Sequence, residues 1–211
     1  MTKLIFLRHG ESEYNRIKKY AGQLDAPLSE VGKQQAIIAG SYIAKNYKID
    51  EIYSSNLSRA IETAQPIANA LKLPIHMDKR LSELDSGVWT DQYIEDIKEK
   101  YPTEFLAYKQ GGRCVGGESF LDVQKRAEEC VLEIARCHSN KSVLIATHAG
   151  VIRGLLALWL HYPNNDMEKV PLVSNNSLTF VEYCNEQFVV KEIAYDGCLA
   201  SLRTEQDKDL I

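Results

Sequence analysis

The sequence predicts an α/β fold, a three-layer αβα arrangement whose mostly parallel sheet carries an antiparallel edge hairpin and a small helical lid. Three observations lead there. Short apolar runs alternate with amphipathic helical stretches along most of the chain, the pattern of strands joined by crossover helices. Two strand-like runs around Asn185-Glu186 close the pattern as a hairpin. No repeat, low-complexity tract or Pro/Gly/Ser-rich linker divides the 211 residues, so one domain, 1–211, is expected, with the lid inserted at about 91–115.

Taken in order, Lys3 to Leu7 reads as a short buried strand. Ser29 caps a helix to about Asn46, with Val31, Gln35, Ala36, Ala39, Tyr42 and Ile43 forming its largely apolar stripe. Ile49 to Tyr53 is a second strand, and Asn56 caps a helix to about Leu71 carrying Ala60, Ala64, Ile67 and Ala68. Ile75 to Met77 is a brief strand after Pro74. Asp91 to Gln110 is helical, broken at Pro102 and rich in Tyr and charge. Ser119 to about His138 is an amphipathic helix, Ser142 to Thr147 an apolar strand, and Val151 to Leu160 a nearly all-apolar helix of the core. Ser177 to Tyr183 and Phe188 to Ala194 form the hairpin. Arg203 to Ile211 is polar and expected to be loose.

Composition excludes several functional classes. Hydrophobic residues make up 45% and charged residues 26%, close to the roughly 45–50% and about 25% of ordinary globular proteins. A chain of this size buries roughly 70% of its unfolded surface and needs no disulfide or metal staple. Twenty-five basic against 29 acidic residues give a net charge of −4, which disfavours nucleic acid or an anionic membrane as partner. Any anion site must therefore be local. Four apolar residues before Arg8 are too few for a signal-peptide core, and no apolar run approaches the roughly 20 residues of a membrane span. Cys114, Cys130, Cys137, Cys184 and Cys198 include no CxxC, so neither a disulfide framework nor a zinc site is expected. Cys130 and Cys184 read as inert thiols, and a reducing cytoplasm fits best.

In parallel sheets, ligands bind beyond the carboxyl ends of the strands. The first strand ends in Arg8-His9-Gly10-Glu11, and the second in Ser54-Ser55 with Arg59 in the next helical turn. The strand 142–147 ends in Thr147-His148-Ala149-Gly150. Two arginines and two histidines thus converge with helix N-termini on one crevice, with Gly10 and Gly150 relaxing the backbone beside each His. Arg presents a planar fork that matches phosphate oxygens, so phosphate is the expected anion. Each of these residues alone would read as structural; the convergence of three segments carries the inference. His76, His138 and His161 lack such context and read as surface residues.

These segments resemble the histidine phosphatase superfamily, the fold shared by cofactor-dependent phosphoglycerate mutases and many small phosphatases. Arg8-His9-Gly10-Glu11-Ser12 with Asn15 matches the signature around the phosphorylated histidine, and Gly22, Asp25, Pro27, Leu28, Ser29 and Gly32 the stretch after it. Ser54-Ser55-Asn56-Leu57-Ser58-Arg59-Ala60 with Thr63-Ala64 matches the second-arginine motif. Leu81-Ser82-Glu83 with Gly87 and Trp89 matches the acid segment, Gly116-Gly117-Glu118-Ser119 the start of the next helix, and Thr147-His148-Ala149-Gly150 the second-histidine motif. The resemblance covers nearly the whole chain, in the family's order.

The resemblance implies a phosphomonoesterase of histidine acid phosphatase type. His9 would be the nucleophile, neutral when it attacks, and Glu83 the acid and base. Arg8, Arg59 and a protonated His148 would stabilise phosphoryl charge. Asn15, Ser12, Gly22 and Ala149 would help bind substrate. Asp85 is the reserve acid, or a turn residue; Glu11 reads as a structural partner. With arginines supplying the positive charge, neither a metal nor another cofactor is expected, and the partner is a small phosphomonoester.

The residues by which mutases hold a second charged end of a bisphosphoglycerate are missing, since Glu83 is followed by Leu84-Asp85-Ser86-Gly87-Val88-Trp89 and His148 by Ala149-Gly150-Val151. Hydrolysis is therefore expected over mutase-type transfer, and over a non-catalytic phosphate-binding module, which would need no proton donor. Two departures bear on substrate: Ala21 stands where related phosphatases often carry Gln, and Trp89-Thr90-Asp91 where they carry Trp-Glu-Gly. Tyr93, Tyr101, Phe105 and Tyr108, with Lys109 and Arg113, would either wall the substrate or pack the lid on the body. The run His148 to Arg153 is similar to that of alpha-ribazole phosphatases; phosphoserine, sugar phosphates and broad monoesters stay open.

Overall fold

The computed structural model describes residues 1–163, 165–199 and 202–204. Six strands, β1 (Thr2–Arg8), β2 (Glu51–Ser54), β3 (Ile75–Met77), β4 (Ser142–Thr147), β5 (Leu178–Cys184) and β6 (Gln187–Tyr195), form one sheet in the order β3-β2-β4-β1-β5-β6. The first four are mutually parallel, while β5 runs antiparallel to β1 and β6 to β5. Seven α-helices among the described residues surround it: α1 (Glu13–Arg16), α2 (Glu30–Asn46), α3 (Ser58–Leu71), α4 (Ile94–Lys100), α5 (Pro102–Lys109), α6 (Phe120–Cys137) and α7 (Ala149–Trp159).

Strand side chains alternate between faces, and this sorts the core into two halves. Leu4, Phe6, Val143 and Ile145 pack on the side of α6, α7 and the lid helices. Ile5, Leu7, Leu144 and Ala146 pack on the side of α2 and α3. The result is the expected three-layer sandwich. Capping is local chemistry: the Ser29 hydroxyl accepts the Gly32 N–H to start α2, and Ser119 with Asp122 closes a capping box on α6.

Several expectations need correction. Asn56 does not cap α3. The helix begins at Ser58, whose N–H is met by Asp25 Oδ1 at 2.7 Å from a distant loop, while Asn56 Oδ1 accepts the Ser82 hydroxyl. β2 starts two residues later than read, and α7 two residues earlier, because its first turn follows His148 directly. The four-residue α1 is too short to announce itself by periodicity. Gly10 and Gly150 do not take left-handed backbone angles; they are glycines because neighbours come close. A Cβ on Gly10 would lie 2.7 Å from the Gly32 carbonyl oxygen. His138 is half-buried, its Nε2 2.9 Å from the Tyr53 hydroxyl, whereas His76 and His161 are exposed as read.

The lid aromatics follow the packing reading, and none of them lines the cleft beyond the strand ends. Phe105 and Tyr108 are buried against Trp89, Phe120 and Tyr20, and Tyr93 is exposed. Cys114 and Cys130 are buried, and all five cysteines are free thiols. The predicted loose tail lies outside the described residues from 205 onward. Among the described residues, no helix is long and apolar enough to cross a membrane.

Candidate active site

The parallel strands β1, β2 and β4 all end at the same rim, which opens into a cleft of about 400 Å³ including its mouth. His9, Ser12, Asn15, Lys19, Tyr20, Ala21, Gly22, Arg59, Glu83, Leu84 and Ser86 line it. Arg8, His148 and Ala149 sit behind that wall, each no more than 2% exposed. The Ala149 methyl belongs to the core, so only the backbone at the start of α7 is left to it for binding, a narrower role than expected.

His9 is fixed from every side. Its backbone N–H donates to the Thr147 carbonyl at 2.9 Å, and its own carbonyl accepts from Asn176 N–H at 3.1 Å and Asn175 Nδ2 at 3.2 Å. The ring Nδ1 lies 2.7 Å from the Gly10 carbonyl. A carbonyl can only accept, so Nδ1 carries the hydrogen and Nε2 keeps its lone pair. Burial, then Arg59 and Arg8, hold the ring's pKa well below that of an ordinary histidine. The ring is thus a neutral nucleophile with a defined attacking nitrogen.

Both guanidinium groups donate to backbone carbonyls. Arg8 Nη1 donates to Val173 O at 2.5 Å; Arg59 donates to Leu24 O at 2.9 Å and Gly22 O at 2.8 Å. Both bring positive charge to the cleft wall, opposed in part by Glu83. Burial lowers Arg8 to about 10, which leaves it a cation at neutral pH. Thr63 couples the two strand ends, its hydroxyl accepting Gly10 N–H at 3.0 Å and donating to Arg59 O at 2.6 Å.

Glu83 is the buried acid of the cleft. Its Oε1 accepts the N–H groups of Leu84 at 2.8 Å and Gly150 at 3.1 Å. Burial raises its pKa against the opposing pull of the Leu84 N–H, Arg59, Arg8 and Arg126. Asp85 is half-buried and accepts Gly87 N–H at 2.9 Å, the turn role. Glu11 accepts the Ser29 hydroxyl at 2.6 Å and faces the scaffold.

His148 departs from expectation. The resemblance implies a protonated ring, yet burial, then Arg59 and His9, hold its pKa well below the ordinary value. The imidazole lies with its centroid 5.1 Å from that of His9 at an interplanar angle of 59°, and its Nε2 is 2.8 Å from the Ser55 hydroxyl. Donor atoms of His9, Glu83 and His148 lie within 4.8 Å of one another. Such a set has the count for a cation, but Arg8 and Arg59 act on the same pocket and oppose one electrostatically.

Supporting residues escaped the sequence reading. Asn175 ties His9 to Asn15, whose Oδ1 it reaches at 3.3 Å. Arg126 on α6 donates to the carbonyls of Arg80, Ser82 and Glu83 and pairs with Glu118 at 2.8 Å. Lys19 at the mouth pairs with Asp91 at 2.8 Å and lies over the Tyr93 ring. None sits in a motif whose spacing marks it; they are found by proximity alone.

Residues 4–196 match the family description "Histidine phosphatase superfamily (branch 1)". The chain is 37% identical over 158 residues to phosphoserine phosphatase 1 of Hydrogenobacter thermophilus, covering 74% of each protein. It is 34% identical over 172 residues to glucosyl-3-phosphoglycerate phosphatase of Mycolicibacterium vanbaalenii, covering 77% of this chain and 76% of that one. Among solved structures, a mycobacterial glucosyl-3-phosphoglycerate phosphatase in complex with VO3 superposes with a TM-score of 0.85 at 29% identity, over 91% of this chain and 98% of that one.

Proposed function

The chain belongs to the histidine phosphatase superfamily, and from that premise we propose that it hydrolyses small phosphomonoesters through a phosphohistidine on His9. The observation that carries the reading is the state of His9: neutral, with Nε2 unprotonated, beside a protonatable Glu83 and two arginines whose charge lowers the ring's pKa. A phosphate-binding module needs cations; it needs neither an unprotonated ring nitrogen nor a carboxyl with a raised pKa.

In the first step Nε2 attacks phosphorus as the P–O bond to the alcohol breaks, and Glu83 gives its proton to the leaving oxygen. In the second, water attacks the phosphohistidine, Glu83 takes its proton, the N–P bond breaks and phosphate leaves. Arg8, Arg59, Asn15 and His148 stabilise the equatorial oxygens throughout. Ser12, Gly22 and the backbone at Ala149 shape the cradle. A carboxyl raised above its usual range suits the acid-phosphatase type. We treat the chain as one domain with α4–α5 as its lid, and five thiols without a disulfide among them support reading it as a protein of a reducing cytoplasm.

Beyond the phosphate cradle the cleft offers Lys19, Tyr20, Ala21, Leu84 and Ser86. The buried lid aromatics do not line it, which removes the support for a ring-bearing substrate. Lys19 favours an acidic tail, in keeping with relatives whose names specify phosphoserine and glucosyl-3-phosphoglycerate. The test is hydrolysis of a chromogenic phosphomonoester with and without excess EDTA, and by His9→Ala. Metal-independent turnover that His9→Ala abolishes is expected; a fully active His9→Ala sinks the reading. With 3-phosphoglycerate, released phosphate and not the isomer should accumulate.

A further inference from the structure

The hydroxyl of Ser55, just past the end of β2, is wholly buried and has two neighbours to satisfy. It accepts the Leu57 N–H at 3.2 Å and lies 2.8 Å from His148 Nε2. Its backbone N–H is spent on Ala146 O at 2.9 Å, which locks the residue between β2 and β4. On the other side of the same imidazole, His148 Nδ1 is buried with no hydrogen-bond partner among the described residues.

Proton counting distinguishes the two tautomers. If Nε2 carried the ring hydrogen and donated it to Ser55, the hydroxyl hydrogen would be left buried with no acceptor recorded near it, at a cost of about 1–3 kcal/mol. If instead Ser55 donates its O–H to Nε2, the hydroxyl is satisfied in both capacities and the ring hydrogen sits on Nδ1. Arg59, His9, Arg126 and Arg8 all discourage a second ring proton. The ring thus holds one hydrogen, and its place is set by Ser55.

We propose that Ser55 is a positioning residue that fixes His148 as the Nδ1–H tautomer, so that Nδ1 stands as a preset hydrogen-bond donor for an oxygen of the transferred phosphoryl group. The inference rests on the reading that His148 faces that group. One ring nitrogen each of His148 and His9 and a carboxylate oxygen of Glu83 fall within 4.8 Å of one another, so the His148 imidazole stands beside the nucleophile and the acid, and Ser55 already occupies its Nε2. The arrangement is the complement of His9, where a carbonyl pins Nδ1–H inward and frees Nε2 as nucleophile. One imidazole is set to attack and the other to donate.

Nitrogen-15 NMR of the substrate-free protein tests this directly, because the chain has only five histidines and His148 is assigned by difference with His148→Gln. The expected spectrum shows a protonated Nδ1 and an unprotonated Nε2. A wild-type ring protonated at Nε2 overturns the proposal whatever the activity, whereas loss of the phosphatase reading would appear separately, as an active His9→Ala. In Ser55→Ala the ring hydrogen should move to Nε2 or distribute between both nitrogens. Turnover should fall about 10- to 100-fold, as for other partners that orient a reacting imidazole. Ser55→Thr, which keeps the hydroxyl, should restore the wild-type tautomer and most of the rate. An unchanged tautomer in a folded Ser55→Ala overturns the proposal even if turnover drops.

Discussion

Glu83 and Gly150 meet across the cleft: Glu83 Oε1 accepts the Gly150 N–H at 3.1 Å, and a Cβ added at Gly150 would lie 2.3 Å from that same oxygen. The glycine is therefore the space in which the acid sits. Gly150→Ala should fold, because the obstacle is the end of a flexible side chain, but its carboxyl must swing out of place. Turnover should fall about 10- to 100-fold, a range set by misplacement of a catalytic group. Inhibition by inorganic phosphate, which needs the cradle of Arg8, Arg59, Asn15 and His148 but no proton from Glu83, should change little. Equal losses in both would show that Gly150 supports the whole cradle.

Burying Glu83 also leaves a thermodynamic trace. Its folded pKa is raised, so the native state holds a proton that the unfolded chain has released. Stability from this group is therefore full below the unfolded value and is lost as pH rises through the folded one. Glu83→Gln keeps an acceptor for the Leu84 and Gly150 N–H groups without the buried charge. The variant should melt higher than wild type at pH 8 and level with it at pH 4, while its turnover is lost. Calorimetry at the two pH values decides; a lower melting temperature at pH 8 would mean that the charge is stabilising after all.

The same two groups set the pH profile. The reaction needs His9 neutral, hence a pH above its depressed pKa, and Glu83 protonated, hence a pH below its raised one. Activity as kcat/KM should form a bell with its acid limb below the usual histidine range. Arg59 lowers both pKa values, so Arg59→Met should shift both limbs upward together as it lowers the rate. Limbs that move in opposite directions would contradict the assignment.

Thr63 gives a structural test of the coupling between the two motifs. Thr63→Val leaves the Gly10 N–H, buried and otherwise unpaired, without its 3.0 Å acceptor. A loss of about 1–3 kcal/mol in unfolding free energy is expected from that orphaned donor. Thr63→Ser, which keeps the hydroxyl, should recover most of it. Urea titration of the three proteins measures the difference.

Much of this site was legible because strands announce themselves by apolar runs and because Arg8, His9, Arg59 and His148 fall at or just beyond their ends, while Glu83 was reached only through the family resemblance. What the sequence withheld depends on contacts between distant segments. Asp25, not Asn56, satisfies the start of α3 because a loop over thirty residues away folds back onto it. Arg126 holds the Glu83 segment from a helix whose polar face looks like any solvated surface. The charge of His148 was misjudged because its neutrality comes from burial, and one-dimensional spacing does not show how deep a strand end lies.

Lys19 turns the same geometry toward substrate choice. Its ammonium lines the cleft mouth, its side chain 19% exposed, and is held by the exposed Asp91 and the rings of Tyr93 and Tyr14. Exposed pairs of this kind contribute about 0–1 kcal/mol, so a substrate carboxylate can displace Asp91 at small cost. Lys19→Met should raise KM for 3-phosphoglycerate and phosphoserine about 3- to 10-fold, the scale of one charge-assisted hydrogen bond in a partly wet site. For glycerol 3-phosphate, which has the phosphate and hydroxyls without the carboxylate, KM should stay within about twofold. The ratio of the two effects is the decisive quantity. A uniform rise across all three substrates would place Lys19 in the phosphate cradle, and no rise for the acids would free the cleft of any preference for an acidic tail.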